Sequence, residues 1–262
     1  MQLIIPAYNE EARLPRTLTA LRRHLATHPV AGGVEVIVVD NASSDATAAL
    51  ARGASTATLP VRVVCCRTRG KGAAVRAGVA ITDDAIVGFM DADGATDFGA
   101  LGEAARLVAA GADIAIGSRG LAGSVTSDRH SAARTLGAAY YRRLAGRLVP
   151  GVSDTQCGFK LMRGDIARAV LASTRTTGFS FDVEMLARAR RTGARLVEFP
   201  VSWVDVPGST FSPARHGVQS FVALAAISWR LRGRNGAAAV QPVPFVPQPA
   251  VAAPALELAV EA

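Results

Sequence analysis

Ile86-Val87-Gly88-Phe89-Met90-Asp91-Ala92-Asp93-Gly94-Ala95-Thr96-Asp97 sets an apolar run against two carboxylates separated by one small residue. The run reads as a buried strand, with the acids standing just past its carboxyl end. In an open α/β sheet that is where ligands bind. Together Asp91 and Asp93 suit a hard divalent cation, Mg2+ or Mn2+, which prefers oxygen ligands and is often shared with the phosphates of a nucleotide. A turn capping the next helix is the plainer reading of the same residues.

Strands and helices alternate around this point. Residues 3–5 read as a short strand that ends at Pro6. A helix to about residue 27 follows, with Leu14, Leu18, Leu21 and Leu25 on one face and Pro15 in its first turn. Residues 34–39 form a second buried strand. It runs into Asp40-Asn41-Ala42-Ser43-Ser44-Asp45 and a helix that Ser44 or Asp45 can cap. Residues 61–66 make a third strand, and Arg69-Gly70-Lys71-Gly72 opens the next helix. After a helix near 98–110, residues 113–117 make a fifth strand ending in Ser118-Arg119. This order predicts an α/β fold with a mostly parallel central sheet, right-handed crossovers and flanking helices.

The second half is more mixed. Residues 120–128 are polar and glycine-bearing and read as a mobile loop; 129 to about 148 turn helical and basic. A turn and a strand are expected over 154–162, a helix over 181–191 and a last strand over 195–204. Residues 217–232 suit a helix that is apolar nearly all round and too short to span a bilayer. Beyond it the chain is mostly Ala, Val and Pro, so one domain is expected over residues 1–232 and a disordered tail over 233–262.

Half of the 262 residues are apolar, enough for a sizeable core. The net charge is +8, and Arg234, Glu257 and Glu261 are the only charges of the tail, so residues 1–232 carry +9. Such an excess suits anionic partners. Nucleic acid is not expected among them, because aromatic content is only 5% and stacking aromatics are not interleaved with the basic residues. Cys65, Cys66 and Cys157 have no metal-ligand spacing, and a reduced cytosolic setting is expected. The opening residues lack the basic and long apolar regions of a secretory signal.

Individual residues carry two readings each. Asp40 can accept hydrogen bonds from a base or ribose, or begin an Asx-turn. The 69–72 segment can wrap N–H groups and the Lys71 ammonium around an anion, although it is neither a Walker A loop nor a dinucleotide fingerprint. Arg119, Arg129, Arg134, Arg142 and Arg143 make a basic lip for phosphates or a solvated helix face. Asp182 and Glu184 are exposed carboxylates or ligands of sugar hydroxyls. The 217–232 helix, with Phe221 and Trp229, is core or a peripheral membrane contact.

Several blocks in order resemble glycosyltransferase family 2, the inverting enzymes of GT-A fold. They are Ile5-Pro6-Ala7-Tyr8-Asn9-Glu10-Glu11, Val38-Val39-Asp40-Asn41-Ala42-Ser43-Ser44-Asp45-Ala46-Thr47 and Asp91-Ala92-Asp93. Asp91-Ala92-Asp93-Gly94-Ala95-Thr96, Gly117-Ser118-Arg119, Asp154-Thr155-Gln156-Cys157-Gly158-Phe159-Lys160 and Phe181-Asp182-Val183-Glu184 are most similar to dolichyl-phosphate β-glucosyltransferases and related polyprenyl-phosphate sugar synthases. The resemblance implies that Pro6, Tyr8, Glu10, Asp40, Lys71, Asp91 and Ala92 line a nucleotide pocket. It implies a metal, Mg2+ or Mn2+, on Asp91 and Asp93, with Arg119 and Arg129 near the phosphates and Gln156 beside the donor sugar or acceptor.

The expected activity is therefore transfer of a hexose, glucose first, from a UDP-sugar to a polyprenyl phosphate at the cytoplasmic membrane face. A phosphate monoester is largely ionised near neutrality, since its second pKa is about 6, and needs no general base. A hydroxyl acceptor needs a carboxylate, for which Asp154 and Asp182 are candidates. The alternatives are the same fold acting on a soluble hydroxyl acceptor, and a non-catalytic nucleotide-binding protein. The sequence does not choose an oligomeric state.

Overall fold

The computed structural model describes residues 1–127, 132–206 and 213–232. The expected tail over 233–262 and Arg129 lie outside the described residues. The chain runs β1 (Gln2–Ala7), α1 (Leu14–Thr27), β2 (Glu35–Asp40), α2 (Thr47–Gly53), β3 (Val61–Cys65), α3 (Lys71–Val79), β4 (Ile86–Phe89), α4 (Gly99–Ala109) and β5 (Ile114–Ser118). It continues through β6 (Val125–Ser127), α5 (Ala132–Leu148), β7 (Lys160–Arg163), α6 (Gly164–Ser173), α7 (Phe181–Arg191), β8 (Leu196–Pro200), β9 (Ser202–Val204) and α8 (Pro213–Arg232).

Seven strands form the central sheet in the order β3-β2-β1-β4-β7-β5-β8. Every neighbouring pair is parallel except the two made by β7, which runs antiparallel to both β4 and β5. Alternate side chains feed opposite faces. Ile4, Ile37 and Val39 join a core with α3, α6 and α7, whereas Leu3, Ile5, Val36 and Val38 join one with α1 and α4. Both faces are thus covered, as the unbroken apolar strands require.

From β1 the chain moves outward to β2 and β3, then returns to the other side of β1 as β4. The crevice between β1 and β4 is therefore a topological switch point. The carboxyl ends of β1, β2, β4 and β5 open on one edge. The reversed β7 begins on that edge too, since Lys160 pairs with Phe89, and so it brings the 154–159 segment to the same place.

Some expectations change. Pro6 does not end β1, for it pairs with Val39 and the strand continues to Ala7. Met90 donates to the Ile4 carbonyl and Asn41 to that of Ala7. Even positions of β1 therefore face β4, whose registered pairing stops at Ile4, and the missing Pro6 N–H breaks no ladder bond. The expected loop over 120–128 contains β6, which pairs in parallel with β9. The single last strand divides in two: Pro200 is the last residue of β8, paired with Ser118, and the chain then changes sheets through the buried Val201. α6 had no counterpart in the sequence reading. Neither Ser44 nor Asp45 is the N-cap of α2, which is Ala46, although Asp45 Oδ1 accepts from the Thr47 N–H at 3.0 Å.

Candidate active site

The loops after β1 and β2 are laced together. Asn9, with φ of 53°, accepts from Ser44 N at 2.9 Å and donates its own N–H to Ser43 Oγ, while the Glu10 N–H bonds Thr47 Oγ1 at 2.8 Å. Asp40, the last residue of β2, accepts from Ser43 N at 3.2 Å, the turn role foreseen for it. Its neighbour Asn41 received no role from the sequence, yet it ties three points together. Its amide donates to the carbonyls of Cys66 and Thr68 and accepts from the Gly70 N–H at 2.7 Å. Tyr8 lies beneath Arg69, whose guanidinium carbon is 5.5 Å from the ring centroid. Pro6 and Tyr8 are half-buried at this edge.

The start of α3 is fixed by close packing. Gly70 has φ of 122°, and a Cβ there would come within 2.3 Å of the Thr177 carbonyl, so only glycine fits. Lys71 follows at once and places Nζ 2.5 Å from Asp91 Oδ1. Burial pulls the Lys71 ammonium down, but Asp91, Asp182 and Asp93 outweigh it and the net shift is upward. On the other side Asp91 meets Gly158, where a Cβ would fall 1.9 Å from Oδ2. Asp91 is held between an ammonium and a bare backbone.

Asp93 has a different neighbour. Its Oδ1 accepts from Ala95 N at 3.1 Å, and its Oδ2 lies 3.9 Å from Arg13 Nη1. Burial and then the Asp91 charge push the Asp93 carboxyl upward. Arg13 stands at the start of α1 and grips Glu10 through Nε at 2.7 Å. Its Nη1 is buried with no hydrogen-bond acceptor among the described residues. The sequence reading passed over Arg13, although a basic residue in the loop after β1 was a signal. Burial raises Glu10, against the pull of Arg13. Ala92 is buried, and its carbonyl accepts from Thr17 Oγ1 at 2.8 Å.

Among the described residues no three His, Cys, Asp or Glu side chains gather as a metal cage. The pair Asp91 and Asp93 still fits a hard cation that takes its other ligands from a diphosphate and water. Such a charge would relieve the burial and the Asp91 charge that push the Asp93 carboxyl upward.

The remaining acids are spoken for. Lys160 is fully buried at the start of β7 and donates to Cys157 O and Asp182 Oδ1, both at 2.7 Å. Burial raises Asp182, and Lys160 and Lys71 draw it back. Glu184 accepts from Thr176 and Arg188 and lies 3.6 Å from Arg230, which hold it below its usual range despite burial. Asp182 and Glu184 are not the exposed carboxylates of one sequence reading, since both are buried with cationic partners.

Arg119 chelates Asp154 through Nε at 2.7 Å and Nη2 at 3.0 Å and lies over the Trp203 ring. Burial works against the Asp154 charge, but Arg119 prevails and holds the carboxyl below its ordinary value. Asp154 is thus engaged by Arg119, and Asp182 is buried against Lys160. Gln156 Nε2 donates to Tyr141 OH at 3.1 Å and to Phe179 O at 3.3 Å, and Tyr141 donates to Ser180 Oγ. Of the residues foreseen, the structure brings Lys71, Asp91, Asp93 and Glu10 into one charge cluster. Asp40, Pro6 and Tyr8 stand on the same edge, and Arg119 and Gln156 on its β5–β7 side.

The model of the family described as Glycosyl transferase family 2 matches residues 2–171. A dolichyl-phosphate beta-glucosyltransferase of Drosophila melanogaster is 35% identical over 226 residues, which cover 81% of this chain and 69% of that protein. Its counterpart in Mus musculus is 34% identical over 229 residues, covering 81% and 70%. A crystal structure of glucosyl-3-phosphoglycerate synthase from Mycobacterium tuberculosis, in complex with Mn2+, UDP and phosphoglyceric acid, is similar with a TM-score of 0.64. At 20% identity it covers 88% of this chain and 78% of that one, and it shares the GT-A fold.

Proposed function

The chain belongs to glycosyltransferase family 2, and from that premise we propose that it transfers glucose from UDP-glucose to a polyprenyl phosphate of the dolichyl type, inverting the anomeric centre. The names of the relatives support the sugar and the acceptor. One observation in this chain carries the choice of a phosphate acceptor. The acids offered as general bases are engaged, Asp154 by Arg119 and Asp182 by Lys160. A phosphate monoester is already ionised, its second pKa being about 6, and asks for no base.

Pro6, Tyr8, Glu10, Asp40 and Ala92 surround the nucleotide in this reading, and Lys71 and Arg13 offer positive charge to its diphosphate. Arg13 Nη1, 3.9 Å from Asp93 Oδ2 and without a hydrogen-bond acceptor among the described residues, is a donor available to the diphosphate. Asp91 and Asp93 would hold Mg2+ or Mn2+, which when bound supplies stabilisation of the negative charge on the departing diphosphate. Arg119 and Gln156 lie on the side from which the acceptor enters. Arg129 is proposed beside the phosphates on the family resemblance alone. A polyprenyl chain resides in a bilayer, so the enzyme must work at a membrane surface, and 217–232 is our candidate contact.

The test is a matrix of UDP- and GDP-sugars against a short-chain polyprenyl phosphate and soluble hydroxyl acceptors, read as nucleotide release with Mn2+ and with EDTA. We expect release only from UDP-glucose with the lipid phosphate and metal. Turnover with a hydroxyl acceptor alone would overturn the acceptor, and turnover undiminished by EDTA would overturn the metal.

A further inference from the structure

We propose that Gln156 reads a hydroxyl of the transferred hexose through its side-chain carbonyl Oε1; this rests on the sugar-transfer reading of the same site and places Gln156 with the donor sugar, not with the acceptor phosphate. The reason is which end of its amide is already spent.

A glutamine amide offers two N–H donors and one carbonyl acceptor. Both donors of Gln156 are taken, for Nε2 donates to Tyr141 OH at 3.1 Å and to the Phe179 carbonyl at 3.3 Å. A backbone carbonyl only accepts, so Phe179 fixes which end of the amide lies there. Tyr141 OH then donates to Ser180 Oγ at 2.9 Å, and Ser180 donates to the Ser220 carbonyl at 3.3 Å. The chain of hydrogen bonds therefore meets a carbonyl at each end, Phe179 and Ser220, and its donors all run in one direction. Burial pushes the Tyr141 phenol up to about 12, against the Ser180 hydrogen bond, so the phenol keeps the proton it donates. Phe221 packs edge-on against the same ring, with 5.7 Å between centroids, and holds it in place.

An amide is planar, so pinning Nε2 also pins Oε1. Among the described residues no group donates to Oε1, and the atom is not shut away from solvent. It stands on the 154–159 segment, which β7 brings to the ligand edge of the sheet. Gly158, two residues on, abuts Asp91, and Asp154, two residues back, is held by Arg119. The Cα atoms of Gln156 and Gly158 are therefore no more than about 7.6 Å apart.

Chemistry selects the ligand. An acceptor in this position needs a partner with a proton to give. A phosphate monoester is largely ionised near neutrality, its second pKa being about 6, and the diphosphate of the donor is ionised too, so either would set lone pair against lone pair. The hexose carries several hydroxyls, and each can donate.

The test is calorimetric titration, with Mn2+ and without acceptor, of UDP-glucose and of analogues that each lack one hexose hydroxyl. In the wild type we expect at least one analogue to bind about tenfold more weakly than UDP-glucose. In Gln156→Met that analogue should bind as well as UDP-glucose, with the affinities for UDP and Mn2+ unchanged. Gln156→Glu, which keeps an acceptor oxygen, should restore the preference. Each comparison is a ratio within one protein, so a loss of stability in a variant does not imitate the result. An unchanged set of penalties in Gln156→Met, no penalty in the wild type, or a fall in Mn2+ affinity in Gln156→Met would overturn the assignment. So would a raised KM for polyprenyl phosphate in that variant with the sugar preference intact. A protein that shows the preference but transfers nothing to a short-chain polyprenyl phosphate would defeat the proposed activity and leave the Gln156 contact standing.

Discussion

Lys71 Nζ sits 2.5 Å from Asp91 Oδ1, so the first acid of the Asp-x-Asp pair already faces a cation from the start of α3. In the proposed nucleotide site the ammonium would also face the diphosphate. Lys71→Met removes that charge and leaves Asp91 without its partner. We expect UDP affinity to fall by about tenfold, or about 1.4 kcal/mol, measured by calorimetric titration with Mn2+ present. Unchanged affinity would remove Lys71 from the nucleotide site.

Gly158 is a second control on Asp91. A methyl group there would meet Asp91 Oδ2 at 1.9 Å, so Gly158→Ala must displace the carboxylate or the backbone. Overpacking of this kind costs about 1–3 kcal/mol. The expected result is a folded protein with a thermal midpoint lowered by several degrees and with glucose transfer reduced far more than its stability. Circular dichroism melts read beside turnover separate the two. A variant of full activity would show that the Asp91 geometry is not required.

The Lys160–Asp182 pair is buried on both sides, with side chains 0% and 2% exposed. Lys160→Met strands a carboxylate in the core, and removal of one partner of such a pair costs about 3–5 kcal/mol. Lys160→Met combined with Asp182→Leu removes both charges, and urea unfolding should then show most of the loss recovered. If the double variant is no more stable than the single one, the pair is not an isolated electrostatic unit.

Arg119 and Asp154 make a pH-dependent contribution. Because Arg119 keeps the Asp154 carboxyl below its ordinary value, the stabilisation is full above the unfolded value, about 4, and is lost as pH falls through the folded one. Arg119→Gln should therefore destabilise most near neutrality, and the difference from the wild type should shrink as pH drops below about 4. Thermal melts across that range check the sign. A difference that grows in acid would contradict it.

Much of this was readable from one chain. The apolar runs before Asp40 and Asp91 announced buried parallel strands, and acids just beyond a strand belong on the ligand edge of such a sheet. β6 was not readable, because a strand of three residues has no periodicity to show. Asn41 and Arg13 were missed for another reason. Their importance lies in partners such as Gly70 and Asp93, which are distant in sequence.

The sequence by itself determined the alternation of strands and helices, the edge at which Asp40, Asp91 and Asp93 stand, and the family. Burial period and turn chemistry are local, and a single chain displays them directly. Tertiary structure alone decided that β7 runs against its neighbours, that Lys71 meets Asp91, and that Asp154 and Asp182 are consumed by Arg119 and Lys160. Those are pairings between segments that only the packed sheet brings together. Charge type is written in the sequence, but which charge neutralises which is set by distance and burial.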